Sequence, residues 1–128
     1  DNPTLDQFNN QINPYLTAMG AAFHAAGFQL GVYGNYYTIA WCLEDGIGSY
    51  FWQHDWGSRG KVHPRANLHQ VAGQQATIQG VQVDVNNVYA SDWGQWTPGQ
   101  PSPLTNLTPE DWSALLQGSS QLSSSWLR

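Results

Sequence analysis

Near the start of the chain, apolar side chains recur at helical spacing: Leu5, Phe8, Ile12, Tyr15, Met19 and Phe23. Intervals of three and four residues put them on one face of a helix. Thr4 to Gln7 reads T-L-D-Q, a capping box with Thr4 as N-cap and the Gln7 amide reaching back. Pro14 interrupts the run. Asn13-Pro14 therefore predicts a kink or a restart, because proline fits a first helical position better than an interior one. Gly27 is placed as the C-terminal cap. The period then changes. Short apolar runs over Phe28 to Tyr33, Ser49 to Gln53, Ala66 to Gln70 and Val81 to Val85 read as buried strands. Between the first two, "YTIAWCLED" (Tyr37 to Asp45) predicts a short helix ending at Gly46. Helix, strand, helix, strand is the alternation of parallel α/β units. The later connections are rich in Gly and Gln, and their helices are expected to be rudimentary.

The pattern breaks after Trp96. "TPGQPSPLTN" holds three prolines and reads as an extended linker. In "LTPEDWSALLQG" Thr108 is an N-cap and Pro109 sits at the first position. Glu110 and Asp111 favour the start, and Trp112, Leu115 and Leu116 form an apolar face. So short a helix needs a partner surface. The expected division is an α/β domain over 1–96, a linker over 97–106, and a C-terminal helix and tail over 107–128, the helix packing on the domain's outside or joining an oligomer or larger assembly.

Composition narrows the function. With 128 residues the chain can build one core. Only 10% of residues are charged, and there are seven Trp and six Tyr, a composition that suits a sugar-binding surface of flat rings, while any single Trp is read first as a core residue. A net charge of −5 with four basic residues in no long run argues against nucleic acid and against anionic membrane surfaces. No apolar run is long enough to span a bilayer. Cys42 stands alone and reads as a small buried hydrophobe. A start at Asp1 without Met is read as processing or a boundary inside a longer protein.

In parallel α/β folds chemistry gathers at the C-terminal ends of strands. Here those ends carry Tyr33 and Asn35; Gln53, His54 and Asp55; His69 and Gln70; and Asp84 and Asn86. Asp84 lies inside the apolar run "VQVDVNNVY", where a carboxylate must be paired, hydrogen-bonded or solvated. With Asp55 it offers two carboxylates, the equipment of glycoside hydrolysis. The bland readings are a solvated loop residue for Asp55 and a backbone hydrogen-bonder for Asp84. Amides and histidines at the strand ends suit sugar hydroxyls, with Tyr33 and Trp52 as stacking floors. His54, His63 and His69 lack metal-ligand spacing, no nucleophile elbow or phosphate loop is present, and no metal or cofactor is expected.

Four stretches in order, "GFQLGVYGNYYT", "YFWQHDW", "PRANLHQ" and "GVQVDVNN", resemble the glycoside-hydrolase-like barrel of actinobacteria and their phages, a family similar to the family 25 muramidases. The resemblance covers about Asp1 to Trp93. It implies a TIM-like (β/α)8 barrel with a carbohydrate cleft at the strand C-termini, onto which Tyr33, Gln53, Gln70 and Asp84 are carried. The motifs belong to the second half of that barrel, so the expected fold is a parallel half-barrel plus the appended helix, and Asp1 is the remnant of an acidic motif on the preceding strand. Four open strands would expose half a core, so the chain is expected to be part of a larger protein or half of an assembled barrel.

Three functions compete on these residues. One is a cell-wall glycan hydrolase of the peptidoglycan type, possessed by a phage lysin or tail protein, with Asp84, Asp55 and Asp1 as its acids. Another is a non-catalytic glycan-binding or virion module. The third is a structural interaction domain built on Trp112 to Leu116. The first two imply a cell-wall polysaccharide partner and an extracellular, wall-associated or virion-associated location.

Overall fold

The structure is a computed structural model that describes residues 2–95 together with Thr97, Gly99, Thr108 and Pro109. Its helical start follows the sequence closely. Thr4 Oγ1 accepts from Gln7 N at 3.2 Å while Thr4 N donates to Gln7 Oε1 at 2.9 Å, closing the capping box. A single α-turn, α1 (Leu5–Gln7), leads into a π-helical segment over Phe8–Ile12 and then α2 (Asn13–Ala25). The π-turn is the form the expected break takes. Pro14 brings no N–H and its ring crowds the preceding turn, and Asn13 N reaches back to Phe8 O instead of the usual nearer carbonyl. The widened turn also leaves Phe8 fully buried, its ring 5.3 Å from Trp41. Gly27, at φ +81°, ends the helix: Phe28 N donates to Phe23 O at 2.8 Å, the Schellman closure that only a residue free of a Cβ adopts at no cost.

Four strands follow, with one helix among them: β1 (Gly31–Gly34), α3 (Tyr36–Glu44), β2 (Tyr50–His54), β3 (Leu68–Ile78) and β4 (Val81–Val88). Asn35 caps α3 by accepting from Thr38 N at 2.8 Å. Val32 and Phe51 point from the sheet toward Ile39 and Cys42 of α3 and Phe8 of the π-turn, and these buried side chains form the core. Burial pushes the Cys42 thiol up to about 11, with Asp45 adding to the shift, consistent with a packing role and not a reactive one.

The sheet runs in the order β1-β2-β3-β4. The first two pairings are parallel and the third is antiparallel. The expected parallel half-barrel is therefore wrong, because the third pairing runs antiparallel. The molecule is a small mixed sheet with helices on one face. The reason lies in the connection after Gln70. A parallel crossover needs a dozen or more residues, and β3 continues through Ile78 until only Gln79 and Gly80 remain before β4. Both take positive φ, 50° and 83°, as a two-residue type I′ hairpin requires. A bulge interrupts the hairpin: Gln70 pairs with Asn86, but Gln75 pairs with Asp84, five positions on β3 against two on β4. The linker and C-terminal helix expected over 97–128 fall, apart from Thr97, Gly99, Thr108 and Pro109, outside the described residues. Among the described residues no helix is long and apolar enough to cross a membrane.

Candidate functional site

Alternation along the strands sorts the candidate residues between two faces. The register aligns Val32 with Phe51 and Gln53 with His69, all of them buried on the helix side. The other parity aligns Tyr33 with Trp52 and Leu68, and His54 with Gln70 and Asn86. Among the described residues this second face carries no helix, and Tyr33 and Trp52 stand 51% and 40% exposed on it.

A hydrogen-bond chain crosses the open face. Tyr33 Oη donates to Gln70 Oε1 at 2.5 Å, and Gln70 Nε2 donates to Asp84 Oδ2 at 2.5 Å. The bulge brings Gln75 level with Asp84, where its Nε2 donates to Oδ1 at 3.2 Å. Each carboxylate oxygen thus accepts from an amide, and the two contacts fix the plane of the carboxylate. Beside this chain Trp52 Nε1 donates to Asn86 Oδ1 at 2.7 Å. The Tyr33 and Trp52 rings meet edge to face, centroids 5.0 Å apart. Burial, and then the Asp84 charge, raise the Tyr33 phenol above its ordinary value, so it remains a donor.

Two cavities meet at Tyr33. One, of about 510 Å³, lies on the open face between Tyr33, Tyr50, Trp52, Leu68, Val88 and Trp93. The other, of about 580 Å³, lies at the C-terminal ends of β1 and β2 and is lined by Asn2, Tyr33, Asn35, His54 and Trp56. His54 packs 4.9 Å from the Tyr33 ring and 5.5 Å from Trp56, and burial lowers its pKa. The first cavity is an aromatic slot with the Asn86 amide at one wall; the second is a polar mouth.

The remaining candidates are engaged elsewhere. Gln53 is fully buried: its Nε2 donates to Lys61 O at 2.8 Å and its Oε1 accepts from His63 N at 2.7 Å, so its amide fixes the loop after β2. Asn35 is spent on capping α3 and on Asn2 Oδ1 at 2.9 Å. Asp55 is drawn to the helix-side histidine, His69 Nε2 lying 2.6 Å from Oδ1, while Ala72 N donates to Oδ2 at 2.8 Å. The Ala72 N–H is the main cause holding the Asp55 carboxyl below its ordinary range, with His69 adding to it. His69 Nδ1 in turn lies 3.3 Å from Tyr89 Oη. Asp55 and Asp84 therefore belong to two separate networks, joined to His69 and Gln70 on opposite faces of β3, and not to one facing pair. Asp1 lies outside the described residues. No group of three or more His, Cys, Asp or Glu that could hold a metal exists among the described residues.

Sequence reasoning missed Gln75, Trp93 and Tyr89. Gln75 reaches Asp84 only because of the bulge, for which Gly73 at φ +71° was the one available signal.

The comparisons with known proteins bear on the same residues. The profile of the Rv2525c-like, glycoside hydrolase-like domain matches residues 1–88. A Mycobacterium tuberculosis protein named as a candidate peptidoglycan hydrolase, Rv2525c, is 49% identical over 98 residues, which are 75% of this chain and 40% of that protein. The crystal structure of Tat-secreted Rv2525c with L-tartrate superposes with a TM-score of 0.67 at 46% identity, covering 76% of this chain and 47% of the other. A second crystal form, with HEPES, gives a TM-score of 0.65 at 46% identity over 76% of this chain and 46% of the other. The chain spans less than half the length of these relatives. The motif resemblance noted in the sequence is real: the chain belongs to the Rv2525c-like, glycoside hydrolase-like domain family.

Proposed function

We propose that the open sheet face binds a cell-wall glycan of the peptidoglycan type, within a longer, exported glycan hydrolase. The observation that carries this is the Tyr33–Gln70–Asp84 chain set beside the Tyr33 and Trp52 rings on one face. Aromatic rings cover the apolar faces of a sugar ring, and oriented amides and a carboxylate take its hydroxyls. The relatives support the setting, one named for peptidoglycan hydrolysis and described as Tat-secreted. In this reading Tyr33 and Trp52 stack, Asn86 orients the sugar, the buried Gln70 holds Tyr33 and Asp84 in place, and His54 borders the mouth. Asp84 accepts a hydroxyl or acts as the acid–base carboxylate. Gln53, Asn35 and His69 hold the loops that shape the mouth.

A second reading has its own observation. Asp55 is committed to His69 and Ala72, so the two-carboxylate arrangement of glycoside hydrolysis is not assembled from Asp84 and Asp55. A chain with this geometry binds glycan without cutting it unless a second acid comes from elsewhere in the protein. A virion setting, in a phage lysin or tail protein, would use the same face. Incubating purified sacculi with the full chain separates the readings: retention on the sacculi with no new reducing ends identifies a binding module, retention with reducing ends identifies a hydrolase, and no retention refutes both.

A further inference from the structure

The loop after β2 holds a charge arrangement that the glycan face does not use. Arg59, Lys61 and Arg65 are three of the four basic residues of a chain whose net charge is −5, and no Asp or Glu lies between Asp55 and Asp84. All three are exposed. Among the described residues the ion pair found is His69–Asp55, so none of the three cations is neutralised by a carboxylate. Two of them converge. The Arg59 guanidinium lies 5.7 Å from the Tyr37 ring centre and Lys61 Nζ 5.6 Å from the same centre, with Lys61 also 5.3 Å from Tyr36. Ring faces hold cations in place but leave them charged. These tyrosines form the first turn of α3, where the helix dipole is positive and a cation is disfavoured.

The loop is built to keep them there. The buried Gln53 amide grips Lys61 O and His63 N. The buried Ser58 hydroxyl donates to His54 O at 2.7 Å and accepts from Tyr36 N at 3.0 Å. Lys61 N donates to Ser58 O at 3.1 Å, and Arg59 takes a positive φ of 53°. Core hydrogen bonds thus fix the loop that brings two like charges to one tyrosine ring, at a cost that a bound anion would relieve.

We propose that Arg59, Lys61 and the Tyr36–Tyr37 rings form a second binding site, for the phosphodiester groups of an anionic wall polymer. Guanidinium and ammonium groups suit phosphate oxygens, a phosphodiester stays ionised at every pH the wall meets, and the tyrosine faces pack the carbon units between charges. In the first turn of α3 the Tyr36 and Thr38 N–H groups are already taken by Ser58 and Asn35, and the cationic side chains make the contacts. Too few cations are present for general nucleic-acid affinity. The choice of a wall polymer rests on the reading given above; the anion site itself does not.

The test titrates the full chain with a glycerol-phosphate oligomer at low salt, with a galacturonic acid oligomer, a single-stranded DNA of equal charge and a neutral chitin oligomer alongside. The phosphate oligomer should bind and weaken as salt rises. The Arg59→Gln/Lys61→Gln variant should lose about tenfold in affinity or more, a loss of about 1.4 kcal/mol, while the charge-keeping Arg59→Lys/Lys61→Arg variant retains most of it. Neutral glycan binding should be equal in all three proteins, which keeps failure of this site distinct from failure of the glycan face. The proposal is overturned if the phosphate oligomer does not bind, if the glutamine variant binds it as well as the parent, or if galacturonate or DNA binds as tightly.

Discussion

Gln70 on β3 donates its side-chain amide to Asp84 on β4 at 2.5 Å, and the same amide's oxygen receives the Tyr33 phenol. One glutamine thus fixes both an aromatic wall and the carboxylate beside it. Asp84→Asn keeps the shape of the site and should leave the fold intact. Glycan turnover by the whole protein should fall by roughly 10²–10⁴-fold if Asp84 is the acid or base, and affinity by only a few-fold if it accepts a sugar hydroxyl. Melting and turnover measured on this one variant decide between the roles; a lower Tm with unchanged activity per folded molecule would make Asp84 purely structural.

Gln53 should behave in the opposite way. Its amide is buried and occupied by loop backbone. Gln53→Leu strands the Lys61 carbonyl and the His63 N–H, at about 1–3 kcal/mol for each unsatisfied group. For a domain of this size that lowers Tm by about 10 °C or more. Neutral glycan affinity per folded molecule should stay within a few-fold of the parent.

Asp55 sets an acid limit on stability. Its folded pKa lies below the ordinary value of 3.8, chiefly through the Ala72 N–H and then His69. A carboxyl with a depressed folded pKa stabilises the fold above its unfolded pKa and loses that contribution as pH falls through the folded value. At neutral pH, Asp55→Asn should therefore cost about 1–3 kcal/mol, the worth of a charge-assisted hydrogen bond. The gap between variant and parent should close below pH 3.8. Urea melts at neutral pH and at acid pH check this, and a gap that does not narrow would show that the carboxylate charge contributes nothing.

The β3–β4 hairpin makes a fold-level expectation. Gly80 sits at φ +83°, so Gly80→Ala should destabilise by about 1–2 kcal/mol. Gln79→Asn, at φ +50°, should be neutral or stabilising, since Asn favours this turn position. Thermal melts of the two variants test it; equal Tm for Gly80→Ala and parent would contradict the hairpin.

Local signals read well from the sequence because they act over a few residues. The Thr4–Gln7 capping box, the Pro14 break and the Gly27 cap each depend on neighbours within one or two turns. Tyr33, Gln70 and Asp84 were legible as candidates, but the strand ends assigned to two of them were not: Gln70 lies near the start of β3 and Asp84 in the middle of β4. What alternation alone did not reveal is parity across strands, which sends Gln53 and His69 to the helix side and Gln70 to the other, where it is nonetheless buried between Tyr33 and Asp84. The hairpin was missed for a different reason. "VAGQQATIQG" lacks the apolar run that marks a buried strand, because this part of β3 is exposed, and so its Gln79-Gly80 turn passed for part of a crossover. Pairing Asp55 with Asp84 failed on the same geometry, since sequence order does not say which histidine or amide each carboxylate will meet.

Trp52 most directly tests whether the open sheet face binds glycan through its aromatic wall. It is 40% exposed beside Tyr33 and outside the buried core, so Trp52→Ala should fold. Its affinity for a neutral peptidoglycan oligosaccharide, measured by isothermal titration calorimetry against the parent chain, should fall by about tenfold, in line with about 0.5–1.5 kcal/mol for ring contacts plus the lost apolar area. Equal affinity in the two proteins, with both folded, would contradict the account.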